Sequence, residues 1–340
     1  MTNSEPASEG ERHGGTVTTD VHPWVAEARS RVRFSVVAAF LPEFDELKAF
    51  VVGAEERGFD AYWVNDHPTR SMDTFTTLAA LAAETTTMRL ISLVSCVYYH
   101  HPFLIARGAA DVDRMSGGRL VLGLGVGDDV PEFSLLGLPF PPAAERHRVL
   151  TDAVVTIQGL LAGEPQTSPE PFPLSDATLK PGPVQQPRIP LLIGGGGERF
   201  TLRQVARYAD VSNFGPHEWV GKAFEPDDVR RKYDVLRRYC DEVGRPYEAI
   251  LRSHWTPLLT LAPNHDELER KREAARIPDA KLNTQPLFAT PDEAIAHYSR
   301  LVDAGAEYFL ATVNGQDQET VDLLAERVVP ALQARQPISR

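Results

Sequence analysis

RLVLGLGVG (residues 119–127) is the stretch on which the fold turns. Its first half is an apolar, branched run of the kind that makes a strand buried on both faces, and its glycines crowd the carboxyl end. Such a strand and turn belong either to a doubly wound nucleotide-binding sheet or to a closed (β/α)8 barrel. The dinucleotide fingerprint needs a third glycine for close packing of helix on strand, and Asp128 stands in that place. The reading that follows is the barrel.

Outward from this strand the same rhythm repeats. RFSVVAAF (33–40), DAYWVND (60–66) and LISLV (90–94) precede it as strands, and PLLIGGGG (190–197), DVSNFG (210–215), LRSHWTPLLTLAP (251–263) and 307–313 follow. Helical spacing fills the gaps: Leu47, Phe50, Val51 and Ala54 before Gly58, then Leu78 and Leu81, then 102–115 opening on Pro102. Thr290 and Pro291 start a helix that Gly305 ends, and Val321, Leu324 and Val328 mark the last one. The count is eight βα units in one TIM barrel. Two excursions break it, at 128–189, with the proline-rich EPQTSPEPFPLSDATLKPGPVQQPRIP, and at 263–289; both are expected as insertions at the carboxyl-terminal mouth. Residues 1–30 are polar and read as a disordered tail, leaving 31–340 as a single barrel domain.

A formal charge of −12 argues against nucleic acid and anionic membranes as partners, because both would repel the chain. Cys96 and Cys240 are too few for a disulfide framework or a cysteine-rich zinc site. No run reaches the roughly eighteen apolar residues of a membrane span, and the first thirty lack the apolar centre of a signal peptide. The expectation is a cytoplasmic protein with a small-molecule substrate.

In a barrel of this kind the site lies at the carboxyl ends of the strands. IGGGGERFTL runs from a buried strand through four glycines into a helix start near Arg199 or Thr201, where free N–H groups favour phosphate; Arg199 adds a donor unless it pairs with Glu198. His67 titrates near neutrality and suits proton transfer, with Asp66 beside it to orient a ligand; a structural histidine is the bland alternative. Asp128 follows Val126 and Gly127 and either tunes His67 or caps the next segment. His100 and His101 ligate a metal only if Asp66 or His67 converges on them.

Taken in order, these segments resemble the luciferase-like flavin and deazaflavin oxidoreductases over nearly all of 31–334. GFDAYWVNDH is similar to the strand-two signature of that superfamily, and HPFLIARGAADVDRMSGGRLVLGLGVG to its long stretch from strand three to strand four. PFPPAAERHRVL and LKPGPVQQPRIPLLIGGGGERFTLRQVARYADVSNF resemble its F420-dependent branch. The resemblance implies hydride transfer between F420 and a small organic substrate in a homodimer. His67 would then be the proton donor or acceptor, with Asp128 second. It implies a non-prolyl cis peptide at Ser92–Leu93 under the ring, a phosphate tail on Gly195, Gly196 and Gly197, and contributions from Asp66, Val126 and Gly127. The sequence departs from the sugar-phosphate dehydrogenases of that branch: Ser71 lies near the place of their tryptophan and Asp128 stands for their glutamate. The rival readings are an FMN-dependent monooxygenase, a metal-dependent hydrolase using Asp66, His67 and His101, and a non-catalytic flavin-binding relative.

Overall fold

The structure is a computed structural model that describes residues 17–335, apart from 40, 42, 219 and 276–283. Eight strands form the barrel: β1 (Arg33–Ala39), β2 (Ala61–Val64), β3 (Arg89–Ser92), β4 (Leu120–Gly125), β5 (Leu191–Gly194), β6 (Val211–Phe214), β7 (Leu251–Leu261) and β8 (Tyr308–Asn314). Each pairs in parallel with the next, from β1–β2 to β7–β8. β8 returns to β1 in a register running from Arg33↔Tyr308 to Ala39↔Asn314, which closes the ring. All eight lie where the sequence places them. The third is shorter than expected: it stops at Ser92, and the chain resumes pairing at Ser95–Cys96, against Leu124 and Gly125 of β4.

Alternation sorts the two faces. Phe34 and Phe309 point outward and pack edge-on or stacked with Tyr298 of the helix Pro291–Asp303. That helix begins in the expected capping box, Thr290 and Glu293 each bonding the other's backbone N–H. Registered partners in a parallel sheet share a face, so Ser35, Ala61, Trp63, Ser253 and Trp255 turn into the lumen.

His254 lies between the barrel and its helical layer, fully buried, and neither ring nitrogen meets a partner in hydrogen-bonding geometry among the described residues. Burial pushes its pKa down to about 3, and that of neighbouring His297 to about 4. The unfolded imidazole takes a proton below about pH 6.5 while the folded one refuses it. Stability should therefore be intact above that value and fall as pH drops toward 3, by at most about 1.4 kcal/mol per pH unit per histidine. Melting curves at pH 8 and pH 5 check this: His254→Phe, which sacrifices no hydrogen bond, should lose less Tm on acidification than the wild type.

Two expectations about the periphery need correction. The tail expected over 1–30 does not reach residue 30: Pro23–Ala28 is a helix with Trp24, Val25 and Ala28 buried, and Asp20 pairs with Arg188 at 2.6 Å. Residues 1–16 lie outside the described part. Nor does the 128–189 excursion stay at the mouth. Its first part does, through the helix Val130–Leu135. After the helix Ala143–Leu161 and a hairpin of Gln166–Ser168 with Leu174–Ala177, the proline-rich passage runs under the opposite end. There Asp113 accepts the N–H groups of Val184 and Gln185, and Gln185 Nε2 donates to Leu120 O at the start of β4. The reason is topological: the chain must return to the amino end before β5 can run parallel to β4. The second excursion does reach the mouth, where Thr284 bridges to His217 and the Gln285 N–H donates to Pro216 O beyond β6.

Candidate active site at the barrel mouth

The non-prolyl cis peptide is Leu93–Val94, one residue later than the resemblance implied. It occupies the gap between Ser92 and Ser95 and sets the Val94 side chain into the lumen. A Cβ added to Gly125 would lie 2.5 Å from Val94, one on Gly194 2.9 Å, and one on Gly123 2.0 Å from the Ser92 carbonyl oxygen. Gly123, Gly125 and Gly194 are thus spent on packing around Val94 and the bulge. Ser92 is not a cofactor contact: it is fully buried, and its hydroxyl bonds both the N–H and the carbonyl of Gly123. Leu93 stays half-buried at the mouth.

The chain leaves β2 and sends its two polar residues opposite ways. Asp66 turns inward, accepting the Cys96 N–H at 2.9 Å and His100 Nε2 at 3.0 Å. The hydrogen bond to Asp66 raises the His100 pKa, so this is a clamp of β2 on the bulge segment, and the expected role of Asp66 in holding cofactor is corrected. His67 turns the other way, its Nδ1 2.9 Å from Glu132 Oε2. Glu132 also accepts from the hydroxyls of Thr69, at 2.6 Å, and Tyr99, at 3.2 Å. Burial pushes this carboxyl up, but the bonds from Thr69 and His67 outweigh it and hold the group below its ordinary range. An ionised carboxylate only accepts, so the proton sits on His67 Nδ1 and Nε2 keeps its lone pair for the mouth.

The carboxylate beside His67 is therefore Glu132 and not Asp128, which is exposed. Asp128 does not cap either; Asp129 does, accepting the Glu132 N–H. Local sequence gives no warning, since Glu132 reaches His67 only because the Val130–Leu135 helix folds back over β2. Glu132→Gln should lower turnover about tenfold or more by freeing the His67 tautomer, and cost about 1–3 kcal/mol through donors left without an ionised acceptor. Steady-state kinetics and denaturant titration on the same preparation check both.

The metal-site residues do not assemble. Asp66 and His67 diverge, and His101 caps the helix Pro102–Met115 through the Phe103 N–H. Donor atoms of His67, Asp129 and Glu132 do lie within 4.8 Å of one another. Arg70 Nη2 stands there, 3.1 Å from His67 Nδ1 and 2.7 Å from Asp129, so a fixed positive charge holds the place a cation would take.

The glycine loop after β5 is more selective than its sequence. The N–H of Gly195 goes to Asn213 O and that of Gly196, itself buried, to Val220 O, while buried Lys232 donates to Gly196 O at 2.7 Å. Those two N–H groups are unavailable to a ligand. Gly197 is exposed, and among the described residues the N–H groups of Gly197, Glu198 and Arg199 have no acceptor ahead of the helix Thr201–Tyr208. Glu198 pairs with Arg231 and Lys232, leaving Arg199 over the Phe200 ring. Across the crevice Gly127, at φ +71°, presses on Phe133 and Cys96, where a Cβ would not fit, and receives Arg146 on its carbonyl. Val126 is half-buried beside it. Lys232 and Arg146 escape sequence reading because they come from helices far along the chain.

Residues 17–329 match the family model of the luciferase-like monooxygenases. The chain belongs to this family. A luciferase-like relative from Microbacterium testaceum, an F420-dependent glucose-6-phosphate dehydrogenase, is 30% identical over 322 residues, covering 86% of this chain and 94% of its own. The 5,10-methylenetetrahydromethanopterin reductase of Archaeoglobus fulgidus is 34% identical over 338 residues, covering 86% and 98%. Among solved structures, the F420-dependent tetrahydromethanopterin reductase of Methanopyrus kandleri superposes with a TM-score of 0.74 at 18% identity, covering 89% of this chain and 99% of that one. No helix among the described residues of this luciferase-like chain is long and apolar enough to cross a membrane.

Proposed function

We propose that this protein is an F420-dependent oxidoreductase that transfers a hydride between the deazaflavin and a small organic substrate, with His67 moving the accompanying proton. The observation that carries the reading is the His67–Glu132 pair, which presents a lone-pair nitrogen, Nε2, at a mouth whose other side carries unclaimed backbone donors.

The residues fit the coenzyme on two counts. A phosphorylated tail would find the free N–H groups of Gly197, Glu198 and Arg199 at a helix start, with the Arg199 guanidinium beside them. A flat ring would find the Leu93–Val94 bulge and, next to it, the buried Ser95 hydroxyl, which has no hydrogen-bond partner. When bound, the deazaflavin supplies the hydride chemistry. The protein's part is to hold it over the bulge and to accept or return a proton at His67 Nε2. The relatives named for F420 support the choice of deazaflavin over FMN.

Fluorescence titration of the purified protein with F420 and with FMN tests this. Saturable F420 binding with FMN at least about tenfold weaker is expected. Selective FMN binding with oxygen consumption would instead make the protein a flavin monooxygenase.

A further inference from the structure

The carboxyl ends of β7, β8 and β1 carry chemistry unlike the rest of the rim. Where β2 and β4 to β6 end, the rim holds Asp66, His67, Asp128, Asp129, Arg199 and Glu218. From β7 round to β1 the partly exposed lumen and rim residues are Trp255, Leu258, Thr312, Asn314 and Ala39, none of them charged. The cations nearest this side are committed. Lys271 donates to Leu261 O and pairs with Asp317 at 2.7 Å and Glu319 at 2.9 Å, and Lys222 lies 3.8 Å from Glu218.

The floor beneath is aromatic and offers isolated hydrogen-bonding atoms. Trp63 and Trp255 meet edge to face with centroids 6.5 Å apart, and Trp255 Nε1 donates to the Thr312 hydroxyl at 3.0 Å. Trp63, 4% exposed, has its Nε1 buried without a partner, and Asn65 Oδ1, two residues on along the same face, is likewise buried and unpartnered. A lone donor and a lone acceptor above an apolar surface complement one hydroxyl or carbonyl group on an apolar body.

We infer that the substrate subsite lies on the β7–β8–β1 side of the mouth, over Trp63 and Trp255, and takes small uncharged molecules bearing a hydroxyl or carbonyl, not phosphorylated sugars. A phosphate would bring about two negative charges to a wall with no free cation among the described residues, in a chain of net charge −12. This rests on the F420 reading for the occupant of the other half of the mouth.

The test is isothermal titration calorimetry of the F420-loaded protein with cyclohexanol, cyclohexanone and glucose 6-phosphate. F420 binding is measured first on the same sample; its absence overturns the coenzyme reading by itself, whatever the probes do. With F420 bound, at least one neutral probe should saturate and glucose 6-phosphate should not. Thr312→Val, which keeps shape but removes the acceptor of Trp255, should weaken the neutral probe about fivefold or more, and Trp255→Ala about tenfold or more. Thermal melts confirm that each variant is folded. Saturable glucose 6-phosphate binding as tight as that of the neutral probes, no binding by either neutral probe, or unchanged affinity in both folded variants would overturn the inference.

Discussion

His67→Ala should reduce kcat/KM for hydride transfer by about 10²- to 10⁴-fold, the span that a positioned acid or base contributes, while leaving F420 affinity within a few-fold. The separation follows from the geometry. The imidazole stands at the end of β2 with Nδ1 committed to Glu132, whereas the backbone donors at Gly197 to Arg199 are on the far side of the crevice. Loss of affinity together with loss of rate would mean that His67 holds the coenzyme instead of moving a proton. Single-turnover absorbance changes of F420, read beside the binding titration, distinguish the two, and a variant with undiminished turnover would remove His67 from the chemistry altogether. Because the Thr69 and Tyr99 hydroxyls still bond Glu132 when the ring is gone, the fold should survive.

Gly123→Ala should damage the protein more than any substitution on its surface. The added methyl carbon would stand 2.0 Å from the Ser92 carbonyl oxygen, a backbone atom that no rotamer change can move aside. Relief requires displacing β3 from β4 at the place where the Leu93–Val94 bulge is set, so the cost should exceed the usual range for overpacking and reach about 3 kcal/mol or more. A fall in Tm of about 6–12 °C is the expected reading by circular dichroism. Gly182→Ala, where a Cβ meets nothing within 4 Å, is the control and should stay within about 0.5 kcal/mol of wild type. Equal melting of the two variants would show that the glycines of β4 are not needed for the bulge.

Much of the fold was legible because strands and helices write their periods locally. Alternation in DAYWVND, the apolar run in PLLIG and the Thr290–Glu293 cap each depend on neighbours a few residues away, and the structure has each element there. His67 was legible too, since a histidine just beyond a barrel strand has few other places to be. Its partner was not. Asp128 is the first carboxylate after the strand, yet Glu132 is the one that arrives, because Asp129 starts a helix and carries Glu132 back over β2. Asp66 and Ser92 looked available for the same reason in reverse: nothing local reveals that His100 and the Cys96 N–H claim the first, or Gly123 the second.

The glycines divide the two kinds of knowledge most clearly. Sequence alone determined a (β/α)8 barrel with glycines gathered at the strand ends, because backbone period and turn chemistry are short-range properties. Only the tertiary structure decided that Gly123, Gly125 and Gly194 surround Val94 while the Gly197 N–H stays open. A missing side chain is the same in the sequence whether it makes room for a ligand or for another part of the chain. Which of the two fills the space depends on residues that meet only once the barrel has closed.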